Sequence, residues 1–251
     1  MPAHGLTPAL IDRLWACYSR YVRAAREDFV HEVRAADEIV LFVESGSGAL
    51  AGFDALRVVP ARYGGRPCTV LYTSYADIDP VLRGRNLVER VTVGRLLRLK
   101  LRNPLRPVFL VYTASTYFSY LILPHNAVEY WPHPRTSMPP AVRSLVDAVM
   151  HDLERDGWDP AAGVVRRHGK LRYRTGVVAD DPAVLADPDI AFYARLNPGQ
   201  ADGDTLACIC PLSLRNLCRA AWRMLVRRFR GRRTPIATPT SGPAGGHPPA
   251  V

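Results

Sequence analysis

A strand, a basic loop, a helix and a second strand follow one another in the middle of the chain, and this order constrains the fold more than any other feature. Cys68–Ala76 is apolar and β-branched and predicts a strand. Residues 80–85 form a loop that leads into a helical pattern over residues 86–102. The helix must end before Asn103-Pro104, since proline disfavours helix in the residue before it. Pro107–Ala114 is a continuous apolar strand, of the kind buried on both faces.

The patterns on either side complete a sheet covered by helices. A capping hydroxyl at Thr7 and Pro8 at the first helical position predict a helix that runs to about Arg34. The other predicted elements are strands at 39–43 and 49–59 joined by a turn, a polar turn at 62–67, a short helix from Ser115-Thr116 to about Pro124, a helix at 139–155, a hairpin of 163–167 and 171–178, a strand at 205–211 and a helix at 212–230. This order predicts an α/β chain of the α+β type, with one mixed, mostly antiparallel sheet flanked by helices.

Composition indicates one domain with a sizeable core. The chain has 251 residues and 48% hydrophobic content, which we expect to form a single domain over residues 1–211. The basic amphipathic helix at 212–230 follows it, and the Pro-, Thr- and Gly-rich tail at 231–251 is expected to be disordered. No long apolar run and no export signal are apparent, so a soluble cytoplasmic protein is the default expectation.

The positive charge is concentrated near the end of the chain. The sequence has 33 Lys and Arg against 23 Asp and Glu, a formal net charge of +10. No acid follows Asp204, whereas eight arginines do, so +8 of that charge lies in residues 205–251. The rest of the chain is nearly balanced, and the sequence shows no nucleic-acid-binding motif, so a nucleic-acid partner is not expected.

Cysteine and histidine spacing does not predict a metal site. The five cysteines include no CxxC pair, and without an export signal we expect them to stay reduced. His125 and His133 lie in a proline-rich stretch that offers no third ligand. We therefore expect no metal cofactor.

The basic loop before the second helix has the properties of an anion site. Arg83-Gly84-Arg85 comes just before a helix start, where unpaired backbone N–H groups and the helix dipole favour a phosphate, and glycine allows close approach. Eight basic residues and one acid, Glu89, lie between Val81 and Arg106. A polyanion such as a nucleotide diphosphate would suit this region. The alternative is a loop that binds nothing, since arginine and glycine often precede helices.

The element order over residues 8–178 resembles the GCN5-related N-acetyltransferase (GNAT) fold. In that family an Arg/Gln-x-x-Gly-x-Gly/Ala loop at a helix start holds the pyrophosphate of acyl-CoA. Arg83-Gly84-Arg85-Asn86-Leu87-Val88 is similar in its leading arginine and following glycine, while Asn86 and Val88 stand where the family has small residues. The resemblance implies an acyltransferase that uses acyl-CoA, or an acyl-carrier protein, to acylate an amine of a small molecule.

The resemblance also implies roles for particular residues. The donor would lie in a V-shaped gap between the strands at 68–76 and 107–114, with its carbonyl polarised by a backbone N–H near Ser74 to Ala76. The donor-binding candidates are Arg83, Gly84, Arg85, Asn86, Tyr75 and Thr113, and the catalytic candidates are Tyr120, Tyr117 and Asp77. A tyrosine would protonate the leaving thiolate and an aspartate would accept the amine proton. Each also has a structural interpretation: the aspartate as part of a turn, the tyrosines as packed helix aromatics.

A second hypothesis rests on the basic helix. Leu214, Leu217, Cys218, Ala221, Leu225 and Phe229 recur on one side of it, Arg215, Arg219, Arg223 and Arg227 on another, and Trp222 lies near the boundary. That pattern is typical of a helix that docks on a membrane surface or an acidic partner. The chain could then be a non-catalytic GNAT-like binding protein. An ordinary terminal helix packed on the sheet is the simpler alternative.

Overall fold

The computed structural model describes residues 1–79, 82, 87–168, 170, 172–173 and 181–229. Its helices are α1 Pro8–Tyr18, α2 Arg26–Ala35, α3 Leu87–Arg102, α4 Tyr117–Asn126, α5 Pro140–Leu153, α6 Pro182–Leu185, α7 Pro188–Leu196 and α8 Leu214–Phe229. Its strands are β1 Val22–Arg23, β2 Glu38–Val43, β3 Leu50–Tyr63, β4 Arg66–Ile78, β5 Val108–Ala114, β6 Trp158–Asp159, β7 Val164–Val165, β8 Arg172–Tyr173 and β9 Thr205–Pro211.

The main sheet has seven strands in the order β2-β3-β4-β5-β9-β7-β6. Every neighbouring pair is antiparallel except β4 and β5, which run parallel because α3 connects them as a crossover. The mixed, mostly antiparallel sheet predicted from the sequence is confirmed, and so is the adjacency of the two central strands.

Helices cover both faces of the sheet. On one face, α1 and α2 bury Leu14 and Phe29 against Phe53 of β3, and α5 buries Leu145 and Val149 against the centre of the sheet. On the other face, α3 packs on β3, β4 and β5, while α4 and α7 pack on β5 and β9. The two faces of β5 are therefore both buried, as its unbroken apolar sequence predicted.

The single helix predicted from Pro8 to about Arg34 is wrong. The chain forms α1 and α2 instead, and between them Val22–Arg23 pairs antiparallel with Arg172–Tyr173 in a separate two-stranded sheet. Both helices place aromatic residues on the same sheet face, where Tyr18 stacks on Phe29 at 5.1 Å between ring centroids. The apolar periodicity continues across the break because both helices face one core, so the sequence alone does not reveal it.

Two turn predictions are also corrected. The polar turn at residues 62–67 is shorter, since β3 and β4 remain paired up to Tyr63 and Arg66 and only the glycines between them turn. Those two glycines have φ of 55° and 78°, a backbone conformation that suits glycine. The expected hairpin of 163–167 with 171–178 does not form among the residues described there. Val164–Val165 pairs with β6 and β9, while β8 pairs with β1.

Residues 182–202 contain structure that the sequence analysis did not predict. Asp181 and Asp187 each precede a proline and accept hydrogen bonds from backbone N–H groups of the first turns of α6 and α7. An aspartate followed by a proline at the first helical position is a recognisable helix start. The signal was present, but these helices are too short to show clear periodicity.

The last helix is attached to the body by one buried side chain. The Asn216 Oδ1 accepts hydrogen bonds from the backbone N–H groups of Val128 and Glu129 at 2.8 and 2.9 Å. Its Nδ2 donates to the carbonyl oxygens of Glu129 and Pro211 at 2.8 and 2.9 Å. The carboxamide thus joins the start of α8 to the loop after α4 and to the end of β9.

We predict that Asn216→Ala lowers the free energy of unfolding by about 2–4 kcal/mol, because it leaves two backbone N–H and two carbonyl groups without their partner. Asn126→Ala is the matched control, since Asn126 makes one hydrogen bond within its own helix. Chemical denaturation of both variants measures the difference. Equal losses in the two variants would show that Asn216 does not anchor α8.

Candidate active site

A gap opens between the two parallel strands at the centre of the sheet. The β4–β5 pairing runs from Thr69 opposite Val108 to Thr73 opposite Tyr112 and then stops. Each strand nevertheless stays paired with its outer neighbour, β4 with β3 as far as Ile78 and β5 with β9 as far as Ala114. The facing edges beyond the last pair therefore lie outside the β4–β5 ladder.

A β-bulge marks the point where β4 leaves β5. Tyr75 lies opposite Ala55 and Thr73 lies opposite Leu56, so Ser74 is an extra residue without a partner on β3. A bulge shifts the alternation of side chains by one position. Tyr72 and Tyr75 consequently share the face covered by α1, α2 and α5, although residues three apart in a regular strand point to opposite faces.

A polar cluster lies on that face beside the gap. The Tyr72 hydroxyl donates to Glu154 Oε1 at 2.8 Å. The Arg167 guanidinium donates two hydrogen bonds to the same carboxylate, at 2.9 and 3.0 Å. The Glu154 side chain is only 9% exposed, so this bidentate pairing offsets much of the cost of burying its charge. Burial and the charge of Glu154 raise the pKa of Tyr72 well above its usual value, which keeps its hydroxyl protonated.

Glu32 of α2 approaches this cluster without being bonded to it. Burial, and next the charge of Glu154, raise the pKa of the Glu32 carboxyl, while Arg57 and Arg167 oppose the shift. Among the described residues, none donates a hydrogen bond or forms a salt bridge to Glu32. The site thus combines one carboxylate neutralised by Arg167 with a second, half-buried carboxylate that retains unused acceptor capacity.

A buried acid, Asp54 of β3, lies on the sheet face covered by α3. The Thr73 hydroxyl donates to Asp54 Oδ1 at 2.6 Å, whereas Asp54 Oδ2 has no hydrogen-bond partner among the described residues. Asp54 is fully buried, and burial raises the pKa of its carboxyl to about 7. Thr73 is the last residue of β4 that pairs with β5, so this acid is connected to the point where the strands part.

The aromatic residues of α4 follow β5, the second strand that borders the gap. The helix starts at Thr116, whose hydroxyl and the Ser119 hydroxyl form a reciprocal capping box. Tyr117 is the first helical residue and is 9% exposed. Tyr120 is fully buried; its ring stacks on Tyr193 and its hydroxyl donates to the Pro132 carbonyl at 3.2 Å. Burial and the neighbouring Tyr130 raise the pKa of Tyr120.

The structure brings some predicted site residues to the gap and does not describe others. Tyr75 and Asp77 lie on β4 past the bulge, and Thr113 lies on β5 past the last pair, so all three border the gap. Tyr117 and Tyr120 follow β5 within two turns of helix. Arg83, Gly84, Arg85 and Asn86 lie outside the described residues, as does the tail at 231–251. Among the described residues, no three potential ligands gather to hold a metal ion.

Sequence reasoning did not predict this polar cluster. Glu32, Glu154 and Arg167 come from α2, from the residue after α5 and from the segment after β7. Residues 82 positions apart, such as Tyr72 and Glu154, share no sequence motif. Only the packing of α2 and α5 on one sheet face brings them together.

The mixed, mostly antiparallel sheet, with two adjacent central strands that part, is what the GNAT resemblance implies. By this arrangement the chain has a GNAT-like fold, and its sequence is divergent. No protein-family model matches the chain, and no curated protein matches it.

Comparison with solved structures finds matches at low sequence identity and low TM-score. A GNAT-like decarboxylase, GphF, in complex with isobutyryl-CoA is 16% identical with a TM-score of 0.38, and the match covers 83% of this chain and 97% of that one. An aminoglycoside 6'-N-acetyltransferase complexed with coenzyme A is 12% identical with a TM-score of 0.36, covering 83% and 94%. The Escherichia coli GNAT family N-acetyltransferase YhbS, in complex with CoA, is 16% identical with a TM-score of 0.33, covering 44% of this chain and 60% of that one. Similarity at this level assigns neither an activity nor a site residue.

We predict that Asp54 makes folding stability fall as pH rises from about 4 to 7. The folded-state pKa is raised, so the folded protein holds a proton that the unfolded chain releases across this window, and stability is greatest below it. A shift of about three pH units corresponds to roughly 4 kcal/mol. Asp54→Asn should lose this slope in denaturation measured across pH, whereas the exposed control Asp152→Asn should keep it. Parallel curves for the parent and Asp54→Asn would contradict the assignment.

Proposed function

We propose that the chain is an acyltransferase that passes an acyl group from acyl-CoA, or from an acyl-carrier protein, to the amine of a small molecule. The observation that carries this proposal is the gap between β4 and β5, where two parallel central strands separate although each is held by its outer neighbour. A thioester arm laid in the gap can hydrogen-bond with the free strand edges as an added strand would. Backbone N–H groups at the Ser74 bulge are proposed to polarise the thioester carbonyl.

Both donor forms present the same phosphopantetheine arm. Arg83, Arg85 and the N–H groups at the start of α3 are proposed to hold its phosphate groups, with Gly84 and Asn86 completing the loop and Thr113 on the opposite rim. An acyl-carrier protein would add an acidic surface that suits the arginines of this region. A measurement of whether the chain binds free coenzyme A distinguishes the two donors.

The polar cluster supports an amine acceptor. The reaction joins the amine nitrogen to the acyl carbon, breaks the carbon–sulfur bond, removes a proton from the amine and returns one to the thiolate. Glu32 has a raised pKa and unused acceptor capacity, so it is proposed to accept the amine proton, with Asp77 as the alternative base. Glu154, neutralised by Arg167 and fixed by Tyr72, is proposed to orient the acceptor.

A tyrosine of α4 is proposed to return the proton to the thiolate. Tyr117 is the better supported of the two candidates, because it lies at the first residue of the helix that follows the gap. Tyr120 remains a candidate, but its hydroxyl is fully buried and already bonded to the Pro132 carbonyl. Burial raises the pKa of Tyr120, so its phenol keeps the proton that a general acid needs.

We expect the double substitution Arg83→Ala with Arg85→Ala to weaken coenzyme A and acyl-CoA binding ten- to hundredfold without lowering the melting temperature. Losing charge-assisted contacts with phosphate costs on the order of 1.5–3 kcal/mol for each bond. Isothermal titration calorimetry measures the affinities. The control is Arg13→Ala with Arg143→Ala, which removes two exposed arginines from α1 and α5 and should leave the affinity unchanged.

Three outcomes of the donor-binding and thiol-release measurements distinguish the hypotheses. Unchanged affinity in the double variant would remove the loop from the donor site. Binding of acyl-carrier protein but not coenzyme A would select the carrier donor. Donor binding without release of free thiol, over a panel of small amines, would favour the non-catalytic alternative.

We predict that Tyr117→Phe lowers turnover about a hundredfold while leaving donor affinity nearly unchanged, since loss of a general acid affects the chemical step more than binding. Tyr120→Phe is the matched comparison on the same helix, and its effect should appear mainly as reduced stability. Release of the free thiol under saturating donor measures turnover for both. A larger kinetic loss in Tyr120→Phe would transfer the role to Tyr120, and equal rates for all three proteins would exclude both tyrosines.

A further inference from the structure

The outer side of α8 carries an exposed apolar row. Leu214 and Trp222 are 80% and 61% exposed, and Cys218, midway between them, is exposed as well. Positions four apart in a helix lie above one another on one side, so these three side chains form a continuous stripe. Exposed apolar side chains usually occur singly on protein surfaces, whereas here two large ones lie in line on one helix.

Arginines follow each member of this row. Arg215, Arg219 and Arg223 occupy the next position in each turn, and the first two are exposed. No acidic residue occurs anywhere between residues 205 and 251, so nothing in the sequence of α8 balances this charge. Arg215 pairs with Glu129 at 3.5 Å, and this exposed contact screens little of the charge. The apolar row and the basic row therefore border each other along the helix.

The attachment of α8 prevents this stripe from turning into the core. Asn216, two positions after Leu214, is buried and bonded to the loop after α4 and to the end of β9. Leu217 is half-buried on the same inward side. Of the stripe that the simpler alternative would pack on the sheet, Leu214, Cys218 and Ala221 are exposed. The helix is held by a polar anchor and presents its apolar row outward.

We propose that α8 docks the chain on an anionic lipid surface. A bilayer interface offers apolar chains just beneath a layer of negative headgroups, which matches a row of Leu and Trp bordered by arginines. Tryptophan is also the side chain best suited to that boundary. Among the described residues, no helix is long and apolar enough to cross a membrane. This docking does not depend on the proposed acyl transfer.

The test uses the full chain and vesicles of phosphatidylcholine alone or with 30% phosphatidylserine. We expect co-sedimentation with the anionic vesicles only, weakening as salt rises. Replacing Arg215, Arg219 and Arg223 by Gln should lower the binding constant about a hundredfold, at roughly fivefold for each arginine. The matched control replaces the exposed Arg13, Arg20 and Arg143 by Gln, which removes the same charge elsewhere and should leave binding nearly intact.

A spectroscopic measurement tests the apolar row separately. Trp222 is exposed, whereas Trp15, Trp131 and Trp158 are half-buried, so binding should shift the tryptophan emission to shorter wavelength through Trp222. Trp222→Phe should abolish the shift, and Leu214→Ser should weaken binding while the melting temperature stays unchanged. Failure to bind anionic vesicles, equal loss in the control triple variant, or binding to neutral vesicles at equal strength would each overturn the proposal. Binding to a polyanionic protein in place of vesicles would assign α8 to an acidic partner.

Discussion

The parting of β4 and β5 is the constraint on which the rest of the structure depends. A parallel pair in the middle of a mostly antiparallel sheet can separate only if each strand is held from its other side. β3 holds β4 and β9 holds β5 beyond the last shared pair at Thr73 and Tyr112. Unused backbone groups inside a sheet would normally be costly, and here they line a gap that a thioester arm could fill. The bulge at Ser74 adds a change of side-chain direction at the same place.

The two faces of the sheet beside the gap carry different chemistry. With Tyr72 and Tyr75 on one face, the Tyr72 hydroxyl reaches Glu154, and the carboxylate is in turn fixed by Arg167. Breaking such a pair costs much more than the pair contributes, because an unpaired buried charge remains. The other face receives Asp54, a buried acid held by Thr73. One face thus carries a polar, partly exposed cluster, and the other carries a fully buried carboxyl.

The basic character of the chain separates into two regions with different proposed roles. Near α3 two arginines precede a helix start in the sequence, where a compact anion such as a phosphate is the proposed ligand. On α8 they are spread along a whole helix beside exposed apolar side chains, which suits an extended anionic surface. Asn216 ties α8 to the loop after α4 and to the end of β9. A membrane-docked α8 would place the sheet close to the lipid headgroups.

The sequence by itself determined the local elements and the class of fold. Pro107–Ala114 is apolar enough to be buried on both faces, the helix of residues 139–155 carries its core residues on one side, and β9 occupies the predicted residues Thr205–Pro211. These features depend on periodicity, caps and proline positions, which neighbouring residues specify. The resemblance to the GNAT family then supplied the expectation of a gap between the two central strands.

Only the tertiary structure decided the pairings and the site. The break between α1 and α2 depends on Val22–Arg23 pairing with residues 150 positions away, and the exposed side of α8 depends on the Asn216 anchor. Likewise, Glu154 and Arg167 meet Tyr72 because the segments that follow α5 and β7 come together on the sheet face that carries Tyr72. Contacts between segments distant in sequence leave no local pattern, since their free energy comes from burial and pairing that exist only once the sheet has formed.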